Sequence, residues 1–276
     1  MNKTLGIYTF IYNASLYDYP LEESLESAIP IADKIVICEC FSKDDTLARL
    51  QAFRDKHRDK DIFIFRLPWV RHYSELSAVG NTCLPFLNTD FHWHLQADEV
   101  IHENSYDTIK SLINNLPEIY SAISVSYTHM LANYSTEFDF CYKRAIRIAR
   151  RVSFWRLAGD ACQLAGEDVR RVMNSDISVF HYGKVKEGST GWQKEWDFQN
   201  LFKDLGFPDP KMKEMEERYG KQFCDYVYLF QQDIKDGKVR PFTGTHPKFM
   251  EQRIKRFKDD GWEQFNSQLI EGLTLK

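Results

Sequence analysis

The sequence lacks several features that would each define a class of protein. Its 276 residues contain no apolar stretch near the roughly 18 to 20 residues that cross a bilayer, and they show no internal repeat or low-complexity linker. The formal charge of -4 excludes a global basic field of the kind that drives nonspecific nucleic-acid binding. We therefore expect a soluble, cytoplasmic protein without a freely moving domain.

Cysteine pairs at the spacing of a zinc site are also missing. The six cysteines are scattered, and most have apolar neighbours, which is typical of reduced thiols in a reducing compartment. They are Cys38, Cys40, Cys83, Cys141, Cys162 and Cys224. Aromatic residues, by contrast, are abundant at 14%. Most aromatics fill cores, but the number is also compatible with a site that stacks bases or sugars.

Strand-like and helix-like segments alternate along the first 120 residues. Apolar strands are predicted at residues 5–10, 34–40, 61–66 and 91–95, and amphipathic helices at residues 21–29, 47–53, 73–87 and 106–113. Such alternation predicts an α/β fold with a mainly parallel sheet flanked by helices. Ligands bind at the carboxyl ends of strands in such sheets, which nominates the loops at residues 11–15, 39–46 and 96–101.

The pattern changes in the second half of the chain. After residue 121 it consists of shorter strand-like pieces, and from about residue 191 it becomes helical. We predict a core at residues 1–188 and a helical C-terminal extension at residues 189–276 that packs on this core.

One apolar strand ends in two adjacent acids, Asp98 and Glu99. Two carboxylates at the mouth of a hydrophobic sheet repel each other and lose hydration, so a positive group should compensate them. A divalent metal carrying a diphosphate is the natural candidate, because Mg²⁺ and Mn²⁺ share carboxylate and phosphate oxygens. His181, at the end of another apolar strand, could complete the site or could be a packed structural residue. The alternative for the two acids is a helix cap.

Six short motifs occur in the order in which a known family carries them. They are Thr9-Phe10-Ile11-Tyr12-Asn13-Ala14, Asp18-Tyr19-Pro20, Ile29-Pro30-Ile31-Ala32-Asp33, Gln96-Ala97-Asp98-Glu99-Val100 with His102-Glu103, Phe180-His181-Tyr182-Gly183, and Phe242-Thr243-Gly244-Thr245-His246-Pro247. With these motifs the chain resembles a branch of family-2-type glycosyltransferases found in bacteria and bacteriophages. The resemblance implies the Rossmann-like GT-A fold, a nucleoside-diphosphate sugar as donor, most often a UDP-sugar, and Mn²⁺ or Mg²⁺.

The resemblance also assigns roles on the donor side. The family usually binds its metal at Asp-x-Asp, which reads Gln96-Ala97-Asp98 here, so Asp98 and His181 are the implied metal ligands. Gln96 and Ala97 are then expected at the donor, with Gln96 bonded to ribose or phosphate. The base and ribose are expected among Phe10, Tyr12, Asn13, Glu39 and Asp45. Asn81 matches a donor-side position of the family, with a plain surface amide as the alternative.

An inverting transferase needs a base to take the proton of the acceptor hydroxyl. Asp160 aligns with an Asp that the family often carries, while Glu167 and Asp168 resemble the acidic pair that supplies the base in related enzymes. All three acids could instead neutralise nearby arginines.

A basic run precedes these acids, and it is expected on the acceptor side with the helical extension. It contains Lys143, Arg144, Arg147, Arg150, Arg151 and Arg156 without an intervening acid. The run, and Arg147, Arg151 and Trp155 within it, could face an anionic acceptor or could form a solvated strand face. The acceptor is then a glycan or, in a phage-type relative, a modified base in DNA.

The resulting hypothesis is a metal-dependent, inverting hexosyl- or pentosyltransferase, located in the host cytoplasm if the chain is viral. Two alternatives belong to other classes. A nucleotidyltransferase would normally carry a glycine-rich, basic phosphate loop, and the segment at residues 9–15 has neither glycine nor lysine. A noncatalytic sugar- or protein-binding module is conceivable because Gln96 replaces an acid.

Overall fold

A computed structural model describes residues 2–140, 142–166, 168–206, 210–219 and 226–274. The predicted α/β class is confirmed, with a large curved sheet flanked by helices. The strands are β1 (Leu5–Ile11), β2 (Lys34–Glu39), β3 (Asp61–Arg66), β4 (Phe91–His94), β5 (Glu99–Ile101), β6 (Ala122–Leu131), β7 (Thr136–Phe138), β8 (Arg144–Arg150), β9 (Arg156–Ala158), β10 (Gln163–Ala165), β11 (Val172–Lys184) and β12 (Val239–Pro241). The α-helices are α1 (Leu21–Ala28), α2 (Thr46–Lys56), α3 (Leu76–Asn81), α4 (Tyr106–Asn115), α5 (Gly188–Gln199), α6 (Pro210–Tyr219), α7 (Gln231–Lys235), α8 (Glu251–Asp259) and α9 (Trp262–Thr274).

The N-terminal half of the sheet is parallel, in the order β3-β2-β1-β4. Successive side chains of β1 enter opposite layers, so Ile7 packs in a core with Leu25 while Tyr8 packs in another with Leu76. β1, β2 and β4 are almost wholly buried, and strands buried on both faces must be nearly continuous apolar runs, which made them recognisable in the sequence. The edge strand β3 is also apolar in sequence, although it is partly exposed.

The C-terminal half of the sheet is antiparallel around β8, so the sheet is mixed rather than mainly parallel. β8 lies between β4 and β6 and runs antiparallel to both. Short connections after residue 121 favour antiparallel pairing, because two strands joined by a tight turn can pair only antiparallel. β6 and β7, for example, are joined by residues 132–135 and pair as a hairpin.

The 13-residue strand β11 pairs with both β5 and β6. It runs parallel to β6, with His181 opposite His129, and antiparallel to β5, with His181 opposite Glu99. The acidic turn between β4 and β5 is therefore held beside His181 by the sheet itself.

The C-terminal extension packs on the C-terminal end of β6 and on β7. Leu131, Phe138, Trp192, Phe230 and Leu273 form one buried cluster there. The extension is not wholly helical, since β12 pairs with β7. Within the ranges given above, no helix has both the length and the apolar character needed to span a membrane.

Candidate active site

A cleft of about 330 Å³ opens at the carboxyl ends of β1 and β4. Seven residues that the sequence nominated lie on its wall, namely Phe10, Tyr12, Gln96, Ala97, Asp98, Asp160 and His181. They come from loops that are separated by up to 171 positions in the chain, and the strand order brings them together. The loops after β1 and β4 thus contribute as the rule for parallel sheets predicts.

Asp98 and His181 lie next to each other on the cleft lining. Oδ2 of Asp98 lies 3.5 Å from Nε2 of His181, and both side chains are largely buried. The backbone fixes this geometry, because the amide of Tyr182 donates to the carbonyl of Asp98 at 2.8 Å. Burial alone would raise the pKa of Asp98, but His181, Lys194 and Lys186 outweigh it and hold that pKa well below its ordinary value. The carboxylate is therefore charged in any neutral buffer.

Gly183 leaves open the space beside this pair. A Cβ at Gly183 would lie 2.4 Å from Oδ2 of Asp98 and 2.8 Å from Nε2 of His181. Any larger residue would therefore push the two potential ligand atoms away. The hydrogen of glycine is the only side chain that allows both atoms to face the same point.

The donor set fits a divalent cation that shares its ligands with a substrate. Among the described residues, no three His, Cys, Asp or Glu side chains cluster to hold a metal on their own. One carboxylate and one imidazole would leave most positions of an octahedral ion to phosphate oxygens and water, which is how Mg²⁺ and Mn²⁺ bind in nucleotide enzymes.

A second histidine, which the sequence did not nominate, lies behind His181. The Nδ1 atoms of His129 and His181 are 3.1 Å apart, and Nε2 of His129 is 2.8 Å from the carbonyl oxygen of Tyr142. Burial, and after it the proximity of His181, lower the pKa of His129 to about 3. His129 is therefore neutral at physiological pH.

A buried ion pair holds the acidic turn at residues 96–99 in place. Arg147 and Glu99 are fully buried and bonded to each other, and the guanidinium also donates to Oε1 of Gln96 at 3.3 Å and to Nδ1 of His94 at 3.1 Å. Burial opposes the charge of Arg147, yet Glu99 raises its pKa above the ordinary value. Glu99 thus holds the turn in place and does not line the cleft.

Two lysines that the sequence did not nominate line the cleft beside Asp98. Lys184 and Lys194 both lie within 3.4 Å of Oε1 of Glu195. Although burial would raise it, these ammonium groups lower the pKa of Glu195 to about 2. Two cations share this one carboxylate, so they present positive charge locally to an anionic ligand, while Asp98, Asp160 and Asp197 line the same cleft.

Stacked aromatic rings also line the cleft. Tyr12 and Trp69 are parallel within 7°, with centroids 4.6 Å apart, and Phe10 stacks on His94 at 5.7 Å. Flat apolar surfaces of this kind accept a nucleobase or a sugar ring.

Four nominated donor residues do not line this cleft. Asn13 has a positive φ of 51°, and its side chain accepts from the amide of Lys43 at 2.8 Å. Asn81 bonds both the amide and the carbonyl of Leu157. These contacts shape the surrounding loops.

The other two of the four are acids on the loop after β2. Glu39 is fully buried and paired with Arg66, and Asp45 accepts from the hydroxyl of Ser15. Both fix the loop that leads into α2.

The candidate bases are placed differently. Asp160 lines the cleft and accepts from the amide of Cys162 at 3.2 Å. Asp168 does not line it and pairs with the exposed side chain of Arg170. Glu167 lies outside the described residues.

The basic run is not a continuous basic face. Arg147 is buried, as described, and Arg150 donates to the carbonyls of Tyr120 and Leu116. Arg151 donates to the carbonyl of Leu87 at 3.0 Å. Trp155 is also buried, and its indole donates to Ser121. The structure therefore does not bring Arg147, Arg151 or Trp155 to the cleft wall.

Comparison with known proteins gives similarity in structure only. The sequence matches no known family profile, and no curated protein sequence matches it. TarS residues 1–349 from S. aureus share 8% identity over 84% of this chain and 79% of that chain, with a TM-score of 0.44. The mannosyltransferase PcManGT from Pyrobaculum calidifontis, solved with GDP-Man and Mn²⁺, shares 10% identity over 100% and 86%, with a TM-score of 0.47. Glucosyl-3-phosphoglycerate synthase from Mycobacterium tuberculosis, solved with phosphoglyceric acid, shares 12% identity over 75% and 82%, with a TM-score of 0.45. At these scores a function must be argued from the side chains of this chain.

Proposed function

We propose that the chain is a metal-dependent glycosyltransferase that moves a sugar from a nucleoside-diphosphate sugar to an acceptor hydroxyl. One observation carries this proposal. Asp98 Oδ2 and His181 Nε2 lie 3.5 Å apart on a cleft that also presents Lys184 and Lys194. A carboxylate and an imidazole suit a divalent cation, and the adjacent ammonium groups suit the diphosphate that this cation accompanies.

The residues around the diphosphate would stabilise the leaving group. A bound Mn²⁺ or Mg²⁺ ion would supply positive charge to the departing nucleoside diphosphate. Lys184 and Lys194 would add to this positive charge, and their low exposure strengthens the effect because water screens them less.

Asp160 is the proposed base. Its carboxylate would take the proton of the acceptor hydroxyl as that oxygen bonds to the anomeric carbon and the bond from this carbon to the diphosphate breaks. Attack from the face opposite the leaving group gives an inverted product. The position of Asp160 on the wall of the same cleft supports this role over Asp168, which pairs with Arg170.

The aromatic wall is the proposed position of the nucleobase. Tyr12 and Trp69 are stacked on each other, and Gln96 lines the same cleft. Uracil is the base we propose, with a hexose or a pentose as the transferred sugar.

The acceptor is proposed to be a glycan hydroxyl. The alternative, a modified base in DNA, receives less support because a DNA surface needs free cations that face phosphates. Arg147 is buried, and Arg150 and Arg151 are bonded to backbone carbonyls.

A thermal-shift matrix tests the proposal, with UDP-, GDP- and dTDP-sugars each measured with and without Mn²⁺. At a concentration about 100 times the Kd, a ligand adds about 2.7 kcal/mol of stability, which raises Tm by several degrees. We expect one nucleotide class to stabilise the protein only when the metal is present. Slow hydrolysis of that donor should follow in the same buffer.

The other two classes predict different results. A nucleotidyltransferase would be stabilised by a nucleoside triphosphate and would release pyrophosphate. A noncatalytic binding module would bind the donor without hydrolysing or transferring it. Absence of any metal-dependent shift across the matrix would contradict the proposed function.

A further inference from the structure

Three groups form a hydrogen-bonded chain that ends at the proposed metal site. The carbonyl oxygen of Tyr142 lies 2.8 Å from Nε2 of His129, whose Nδ1 lies 3.1 Å from Nδ1 of His181. The remaining nitrogen of His181, Nε2, faces Oδ2 of Asp98. Every nitrogen of the two rings therefore has a defined neighbour.

The chemistry of these groups fixes where the protons lie. A carbonyl oxygen can only accept, so Nε2 of His129 must carry a hydrogen. His129 is 4% exposed, and a second proton on its ring would bury a positive charge without a neighbouring carboxylate among its hydrogen-bond partners. Its Nδ1 therefore carries a lone pair and accepts the hydrogen of Nδ1 in His181.

We infer that His129 is a positioning residue, which holds His181 with its hydrogen on Nδ1 and so leaves Nε2 as the atom that can bind a cation beside Asp98. This inference rests on the proposed function, since it assigns a role toward the same metal site. Metal-bound histidines commonly donate their other N–H to a fixed acceptor, and loss of that acceptor weakens metal affinity by about 10- to 100-fold.

The packing of His129 does not by itself require a histidine. Its ring stacks on Tyr127 at 5.3 Å and meets Phe140 and Tyr142 edge-on or tilted, contacts that a phenylalanine ring would also make. What phenylalanine would remove is the acceptor for His181. A pair of substitutions can therefore separate packing from hydrogen bonding.

The two informative variants are His129→Phe and His129→Asn in the full chain. Phenylalanine keeps the ring and deletes the acceptor, whereas Oδ1 of asparagine stands near the former Nδ1 and restores it. Mn²⁺ affinity is measured for both by electron paramagnetic resonance, with UDP absent and present. In parallel, ¹⁵N-histidine spectra of the metal-free protein report which nitrogen of His181 carries hydrogen, and the signals are assigned by their loss in His181→Ala.

We expect the spectra of the wild-type protein and of His129→Asn to show hydrogen on Nδ1 of His181. His129→Phe should lose this uniform state and bind Mn²⁺ at least about 10-fold more weakly, while His129→Asn should recover most of the affinity. Wild-type affinity in His129→Phe would overturn the inference. Equal weakness of both variants would overturn it as well, because an acceptor restored beside Nδ1 of His181 would then recover no affinity.

Asp98→Ala separates this inference from the proposed function. If Asp98→Ala weakens Mn²⁺ binding and His129→Phe does not, the result supports the metal site and contradicts the role of His129. If Asp98→Ala leaves Mn²⁺ binding unchanged, the proposed metal site fails, and the role of His129 fails with it.

Discussion

Gly183 lies so close to Asp98 that a methyl group on it would be 2.4 Å from Oδ2 of the carboxylate. Alanine at this position must displace Asp98, His181 or both from the point that they face. We expect Gly183→Ala to weaken Mn²⁺ binding by about 10-fold or more, the loss common when the surroundings of a metal ligand are disturbed. Titration of Mn²⁺ followed by electron paramagnetic resonance measures it.

Gly272 provides the matched control for that substitution. A Cβ there would meet no atom within 4 Å, and the residue lies within α9. Gly272→Ala should leave Mn²⁺ affinity unchanged and raise the free energy of unfolding by up to about 1 kcal/mol, because glycine is unfavourable within helices. Equal Mn²⁺ affinity in both variants would show that Gly183 does not border the metal site.

Asp98 itself should be indispensable for metal-dependent turnover. We expect Asp98→Ala to abolish donor hydrolysis and transfer in the presence of Mn²⁺ while the fold is retained, because sheet pairing holds the turn through backbone atoms. Asp55→Ala, an exposed position on α2, is the control and should keep full activity. Undiminished turnover in Asp98→Ala would remove this residue from the mechanism.

Lys194 should contribute to the affinity for the donor through charge. We expect Lys194→Met to weaken binding of the nucleoside diphosphate by about 10-fold, equivalent to about 1.4 kcal/mol, and to reduce its dependence on salt. Calorimetric titration at two ionic strengths measures both effects. Lys110→Met, on the exposed side of α4, should change neither quantity. A donor affinity that survives in Lys194→Met would place the diphosphate elsewhere.

The parallel half of the fold could be predicted because its signals are local. Each of the four strands is a short apolar run, and each is followed by a helical period. The insertion of β8 between β4 and β6 could not be predicted in this way, because it depends on pairings such as His92 with Ala149 that are 57 positions apart. The hydrophobic periodicity of a short segment does not specify which strands β8 pairs with.

The candidate site was predictable to a similar degree. Asp98 follows an apolar strand, and that position is itself the signal, while His181 lies near the C-terminal end of the apolar strand β11. Lys194 carries no such signal, because it reaches the cleft only through the packing of α5. Arg147 was counted within a basic run, although it lies where the pairing of β8 with β6 shifts register, from Ile148 opposite Ile123 to Ile146 opposite Ser124, so the regular alternation of side chains is interrupted there. Its partner Glu99 is 48 positions away.

Asp160 should be needed for transfer but not for donor binding. We expect Asp160→Asn to lower the transfer rate by about 10²- to 10⁴-fold, the usual contribution of a general base, while the donor affinity stays within about twofold. Asp168→Asn is the comparison, and it should remain active because that residue is exposed and paired with Arg170. Full activity in Asp160→Asn together with loss in Asp168→Asn would exchange the two roles.

Arg147 should stabilise the fold, because its loss leaves Glu99 buried without a partner. We expect Arg147→Met to lower the free energy of unfolding by about 3–5 kcal/mol, as is usual when one member of a buried ion pair is removed. Arg240→Met breaks the exposed pair with Glu137 and should cost no more than about 1 kcal/mol.

The double variant Arg147→Met with Glu99→Gln identifies the cause of that loss. An amide at position 99 can still accept from the hydroxyl of Tyr127, which now bonds Glu99 at 2.7 Å, and it carries no charge that needs a partner. If an unpaired carboxylate causes the instability, the double variant must be more stable in urea than Arg147→Met alone. If the lost packing of the guanidinium causes it, the second substitution gives no recovery, because nothing fills the space beside His94 and Gln96. Urea midpoints of the two single variants and the double variant decide between these causes.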